Sequence, residues 1–514
     1  MKITWFQKKD FLPLLIYLYL FLPFAIFIFG WTKPIVSIPV LIVLTVCFYR
    51  MVRTFPELWR PKVTRENIFK TACILFIIFV WVYLSGIGKF VFQNSDHWWR
   101  NGMFDALVLE KWPVVYLSVP VEHYKEPVAF VYYFGFWLPS AIIGKLFGLT
   151  AGYFAQAVWA LIGIFLFYYL ILAKYIKKIV YWPLIVVIFF SGLDILGIYL
   201  SGDIISEIPS TFYIEWWAGL FQFSSMTTQL FWVFNQAVPA WLATLVLLVQ
   251  KNTQCIAVVI ALTMITCTLP FVGLVLLAIC IVGRKVFINL SLKKISDYNQ
   301  VILSLRDIFT FENIVGGGLI GVISFLFLKA NIEGNYLRLL NYQSLKGAVL
   351  LWLSFYMVKA GIFFIAVWKY QKRNYLFYYA ALWLAVCPWI DLGKFHDFSM
   401  RASIPALVIV LLLVIDTISK SHSIKDFKTL IVLVVILIIG SSAPLREITR
   451  STANTFNIIT NGSLREVTRT SAYIVGSDQP IPLGSMPPWT ETVYCGFIKG
   501  NVFFDYLARL PKDR

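Results

Sequence analysis

Charge is scarce in this chain. Asp, Glu, Lys and Arg make up 14% of its 514 residues, whereas 60% are hydrophobic. That balance excludes a soluble globular protein and a disordered one, and it points to a polytopic membrane protein. Cysteine is sparse too. Six of the seven (Cys47, Cys73, Cys255, Cys267, Cys280 and Cys387) lie in or beside apolar runs, and only Cys495 sits in a polar region. A disulfide framework is therefore excluded, and no Cys/His metal spacing appears. The four histidines form no HExxH motif. A glycine-rich phosphate loop is missing, which excludes the common nucleotide-binding signature. No small-residue cleavage site precedes Trp31, so the apolar run after the basic Lys2, Lys8 and Lys9 reads as an uncleaved first helix. The net charge of +18 belongs to topology-setting Lys and Arg and to attraction for anionic lipid. Nucleic acid is not an expected partner, because no basic run is interleaved with a soluble fold.

What is present is a series of apolar runs near the roughly 20 residues that cross a bilayer. The expected fold is all-α, a polytopic transmembrane protein of about 13 spans. The expected helices cover 11–30, 35–50, 68–88, 151–173, 179–198, 236–250, 254–268, 271–284, 313–329, 347–369, 375–391, 403–418 and 428–445. Lys2, Lys8 and Lys9, then Arg50, Arg53, Arg60, Lys62 and Arg65, place the N-terminus and the second polar loop in the cytoplasm. Segment 128–148 carries Gly135, Pro139 and Gly144 among aromatics. It reads as an outer interfacial helix, because a full crossing would put Lys174, Lys177 and Lys178 outside. The expected organisation is a membrane domain, 1–445, and an extracytoplasmic segment, 446–514. The outer face then carries 89–127, 199–235, 330–346, 392–402 and the tail.

Chemistry concentrates in 89–127, a polar island between apolar runs. Asp96 opens Asp96-His97-Trp98-Trp99-Arg100-Asn101 at the membrane boundary. A carboxylate there can take a proton from an acceptor hydroxyl, or bind a divalent cation such as Mg or Mn with Asp105 or Glu110, or simply cap a helix. Arg100 and His97 are candidates for phosphate or substrate, Arg100 through a bidentate fork. Trp98 and Trp99 are sugar platforms or interfacial anchors. Glu122-His123 adds a further candidate. A second cluster, Lys394, His396, Asp397 and Arg401, is too dense for a simple connection. An outward-facing Arg beside a membrane helix runs against the positive-inside bias and suits an anionic phosphate ester. Asn235 and Gln236, at the mouth of a span, can hold sugar hydroxyls or cap the helix.

These features together resemble the multispanning GT-C class of glycosyltransferases that use lipid-linked sugars. Asp96 just past a helix, the interfacial segment 128–148 and the tail follow that plan. The pair of helices in 11–50 ahead of the loop-bearing helix departs from it. The stretches SDHWWRNGMFDAL, KWPVVY, VYYFGFWLPSAIIGKLFG, FWVFNQAVPAWLATLVLL, HDFSMRASIPAL and FFDYLAR are similar, in order and spacing, to a bacterial multispanning family grouped with that class. Its members read Lys-His-Asn where this chain has Trp99-Arg100-Asn101. The resemblance implies transfer from a polyprenyl-phosphate sugar to a glycan, lipid or protein acceptor at the outer face of a bacterial inner membrane. Flipping of a lipid-linked saccharide and polysaccharide polymerisation or ligation are the alternatives.

Overall fold

The structure, a computed structural model, describes residues 11–116, 127–201, 213–219, 221–250, 253–292, 306–331, 337–339, 345–392, 397–461 and 494–510. It is dominated by helices. In chain order they are α1 (Phe11–Trp31), α2 (Pro34–Thr54), α3 (Arg65–Leu84), α4 (Asp96–Leu109), α5 (Leu138–Phe147) and α6 (Leu149–Ile171). Next come α7 (Trp182–Phe189), α8 (Asp194–Ser201), α9 (Met226–Val249), α10 (Ile256–Leu262) and α11 (Thr268–Leu292). The rest are α12 (Gly318–Leu328), α13 (Leu345–Tyr356), α14 (Ile362–Gln371), α15 (Tyr375–Val386), α16 (Phe398–Ala402), α17 (Ile404–Ser423), α18 (Phe427–Gly440) and α19 (Ser442–Asn461).

Among the described residues ten helices are long and apolar enough to cross a membrane. Three further apolar helices, Gly135–Phe147, Glu312–Leu328 and Tyr375–Trp389, are shorter. The expected 254–268 helix is a correction: only the seven residues of α10 are helical there. Turns at Thr263–Cys267 then lead into α11, with Thr263 and Thr266 hydroxyls bonding backbone carbonyls at 2.6 and 3.1 Å. Non-helical backbone at membrane depth survives only when buried in protein, and Thr263, Ile265, Thr266 and Cys267 are buried. The expected 179–198 helix is likewise broken, at Phe190–Leu193, into α7 and α8. Helix α9 starts ten residues before the expected 236, so Met226–Gln229 are buried inside it.

The basic helix ends gather at one end of the bundle. Arg50 pairs with Glu312, Lys285 with Asp307, and Lys369 with Asp426. Lys174 Nζ bonds Leu248 O, and Tyr169 Oη bonds Trp59 O. Segment 128–148 stays at the other end. Its start, β2 (Val128–Phe130), pairs with β1 (Val115–Tyr116). Its finish returns Lys145 Nζ to Val108 O at 3.1 Å. Ten helical residues reach about 15 Å, half a hydrocarbon core. Gly148, at φ +92°, reverses the chain from α5 into α6.

The chain's far end returns to the same place. A separate antiparallel pair joins β3 (Leu337–Leu339) to β4 (Ile390–Leu392), and strand β5 (Cys495–Phe497) adds to β2 as the third antiparallel strand of the first sheet. Past it, Lys33 N donates to Leu507 O and Arg509 N to Trp31 O, tying the strap to the α1–α2 turn. Residues 446–461 of the expected tail are the continuation of α19.

Candidate functional site

At the end away from the basic cluster lies a cavity of about 410 Å³. Four separate stretches build it: the start of α4, the loop before α9, α16 and α19. Tyr132 and Tyr494 come from the sheet edge.

Helix α4 is aimed at the cavity by a kink in α9. Val233 has non-helical angles, φ −135° and ψ 35°, and Phe231 O accepts hydrogen bonds from α4 and its approach. Asn94 Nδ2 donates to it at 2.7 Å and His97 Nε2 lies at 3.1 Å. Gln93 bonds Asn101, Gly86 O and the His97 ring, closing the network. With α4 docked this way, Asp96 and Arg100, one turn apart, face the cavity as an ion pair at 2.9 Å. Arg100 Nη1 is buried and makes no hydrogen bond among the described residues.

A second pair faces the first. On α16, Arg401 meets Asp397 at 2.6 Å and donates to Tyr133 Oη at 2.7 Å. Its Nε is buried and unbonded among the described residues. Tyr132 hydrogen-bonds Tyr133 and packs edge-on against Tyr494, which β5 delivers through Val131 N–H bonding Tyr494 O. From α19, Arg446 and Glu447 line a third wall. Glu447 accepts from Trp232 Nε1 at 2.8 Å and from Arg450 at 2.6 Å. Tyr213, Trp216, Trp232 and Trp99 complete an aromatic lining.

Glu215 lines the same cavity and is buried. Its Oε1 accepts the Ser225 N–H at 2.7 Å. Burial pushes its carboxyl up to about 7, with the Lys359 charge pulling the other way. Nearby, Lys359 and Asp194 form an ion pair at 2.6 Å with 1% and 0% exposure. Two interruptions present it: a π-bulge at Met357–Gly361 and the Phe190–Leu193 break. A Cβ on Gly192 would come within 2.7 Å of Lys359 Cα, so only glycine admits the lysine there.

Of the residues singled out in the sequence, Asp96, Trp99, Arg100, Asp397 and Arg401 line this cavity together. Others lie elsewhere. His97 is 1% exposed and docks α4 on Phe231 O. Burial, with Arg100 adding to it, pushes its pKa down to about 3, so it is neutral at physiological pH and no cationic phosphate ligand. Asp105 is buried away from the cavity, bonded to Tyr153 Oη at 2.6 Å and 3.9 Å from Lys89 Nζ. Glu110 is the exposed C-cap of α4. Asp96, Asp105 and Glu110 thus form no common cation site. Among the described residues no three His, Cys, Asp or Glu side chains are grouped to hold a metal. Trp98 packs on Trp99 at 4.1 Å without lining the cavity. Asn235 and Gln236 are buried within α9 and also do not line it. Lys394, His396 and Glu122-His123 lie outside the described residues.

Sequence reasoning missed Glu215, Glu447, Arg446, Trp232 and the tyrosines. The signals were there: Glu215 precedes the Trp216–Trp217 pair, and Arg446, Glu447 and Arg450 share one face of a helix. Comparison of the chain with protein-family models, curated proteins and solved structures finds no match.

Proposed function

We propose that this protein is an integral-membrane glycosyltransferase that moves a sugar from a polyprenyl-phosphate donor to an acceptor at the outer face of the membrane. One observation carries the reading. Two carboxylate–guanidinium pairs, Asp96–Arg100 and Asp397–Arg401, come from stretches about 300 residues apart and meet in one aromatic-lined cavity. The basic helix ends lie at the opposite end of the bundle, which by the positive-inside bias supports reading the cavity end as the outer one.

In this reading Arg401 and Arg100 hold the donor phosphate, using the buried N–H groups that have no hydrogen bond among the described residues. The aromatic rings stack against the sugar. Asp96 accepts the proton of the attacking hydroxyl as the new bond to the anomeric carbon forms and the bond to the phosphate oxygen breaks. The leaving polyprenyl phosphate keeps its electrons and is stabilised by the guanidiniums.

The test is transfer from radiolabelled polyprenyl-phosphate sugars in membranes. Asp96→Asn is expected to lower the rate about a hundred- to ten-thousand-fold, and Arg401→Ala about a hundred-fold or more. Transfer that survives Asp96→Asn removes the base assignment. A second reading, a flippase, is favoured by the buried Lys359–Asp194 pair beside a broken helix. It comes first if the wild type binds the donor and transfers nothing.

A further inference from the structure

An anion entering this cavity meets a charge balance already largely settled. Arg100 and Arg401 each hold a carboxylate from their own helix. Glu447 sits between Arg450, at 2.6 Å, and the charge of Arg446. Glu215 is different. Among the described residues no guanidinium pairs with it, and its one hydrogen bond is from the Ser225 N–H.

The charges that reach Glu215 come from three other elements. Lys359 attracts it, but Lys359 is already committed to Asp194. Asp194 and Glu447 both repel its ionised form. Asp96, Asp397, Arg100, Arg401 and Arg446 line the same cavity. Asp96, Asp397 and Glu447 each have an arginine against them, so Glu215, when ionised, is the lining carboxylate with no guanidinium of its own among the described residues. A phosphate beside it would then meet a like charge where charge is poorly screened. An ionised carboxylate also has no proton to offer a phosphate oxygen, whereas a neutral carboxyl donates one. Burial already favours the neutral form.

We infer that Glu215 is a further phosphate-binding residue: it acts as a neutral carboxyl, donating its proton in a hydrogen bond to an anionic oxygen, so that the anion enters together with one proton. The inference rests on the cavity being a polyprenyl-phosphate site and adds to it a proton-linked affinity.

The probe is farnesyl methyl phosphate, a diester with no second ionisation, so its own charge stays constant across the pH range. It is titrated against the full-length protein in lipid nanodiscs. Wild-type affinity is expected to fall toward tenfold per pH unit as pH rises above about 7, since one proton is linked to binding. Calorimetry in two buffers of different ionisation enthalpy is expected to show uptake of close to one proton per probe at about pH 8. That measurement needs no variant. Glu215→Gln keeps a donor N–H and is expected to bind with no pH slope. A wild-type affinity flat in pH without proton uptake, or an unchanged slope in Glu215→Gln, overturns the role of Glu215 while leaving the anion site standing. Failure of the wild type to bind at any pH overturns both.

Discussion

Arg100 is placed by residues that line no part of the cavity. Asn94 and His97 both reach Phe231 O, and that carbonyl marks the α9 kink. His97 is therefore a positioning residue. Loss of its hydrogen bond in His97→Ala should cost about 1–3 kcal/mol by leaving a buried carbonyl less satisfied. His97→Gln, which retains a donor, should recover part of this in a detergent unfolding titration. The pH dependence has a definite sign. The folded state holds His97 neutral down to about 3, below the ordinary value of 6.5. The unfolded chain takes up a proton that the folded one refuses, so this contribution is intact above about 6.5. It is lost as pH falls toward 3, at up to about 1.4 kcal/mol per pH unit. His97→Gln should flatten that slope. At this scale the sequence was most legible where partners are one helical turn apart. Asp96–Arg100 and Asp397–Arg401 are both four residues apart within polar islands. Glu215 was not legible, since its surroundings come from α8, α19 and the Met357–Gly361 bulge.

Helix breaks, more than helices, shape the site. Apolar runs revealed the long elements because each needs only local composition to satisfy its backbone. The breaks escaped notice because tertiary contacts satisfy them: the α9 kink is served by residues 137 and 134 positions away in sequence. The Lys359–Asp194 pair joins two of these interruptions. Lys359→Met alone leaves a buried carboxylate with only Ser191 and Trp217 as hydrogen-bond donors among the described residues. It should destabilise by about 3–5 kcal/mol, and adding Asp194→Leu should restore much of that. Thermal unfolding in one detergent checks the pair, and a double variant no better than the single removes the ion-pair explanation. The C-terminal strap makes a separate prediction. A Cβ on Gly496 would lie 2.5 Å from Ala330 O. Gly496→Val should therefore push β5 off β2, withdraw Tyr494, and reduce donor transfer in a protein that still inserts. Overpacking of this kind costs about 1–3 kcal/mol, visible as a lowered melting temperature.

At the scale of the whole molecule, charge distinguishes the two ends. The end holding Arg50, Lys285, Lys369 and Lys420 pairs these cations with scattered carboxylates. The other end concentrates its arginines around one cavity. This separation depends on 128–148 returning to the end where it began. If that segment crossed, Ser95 and Lys178 would lie on the same side of the membrane; if it returns, the single crossing by α6 puts them on opposite sides. Both residues are exposed. The seven cysteines are buried or partly buried, so they can be replaced to give a clean background. Ser95→Cys and Lys178→Cys in that background, treated with a membrane-impermeant maleimide on intact cells and then on opened membranes, should label from opposite sides. Ser95→Cys should react from outside and Lys178→Cys only after opening. Ser95→Cys reacting only after opening would break the link between the cavity and the outer face. The donor phosphate would then have to be sought at the cytoplasmic leaflet, where the basic ends already attract anionic lipid.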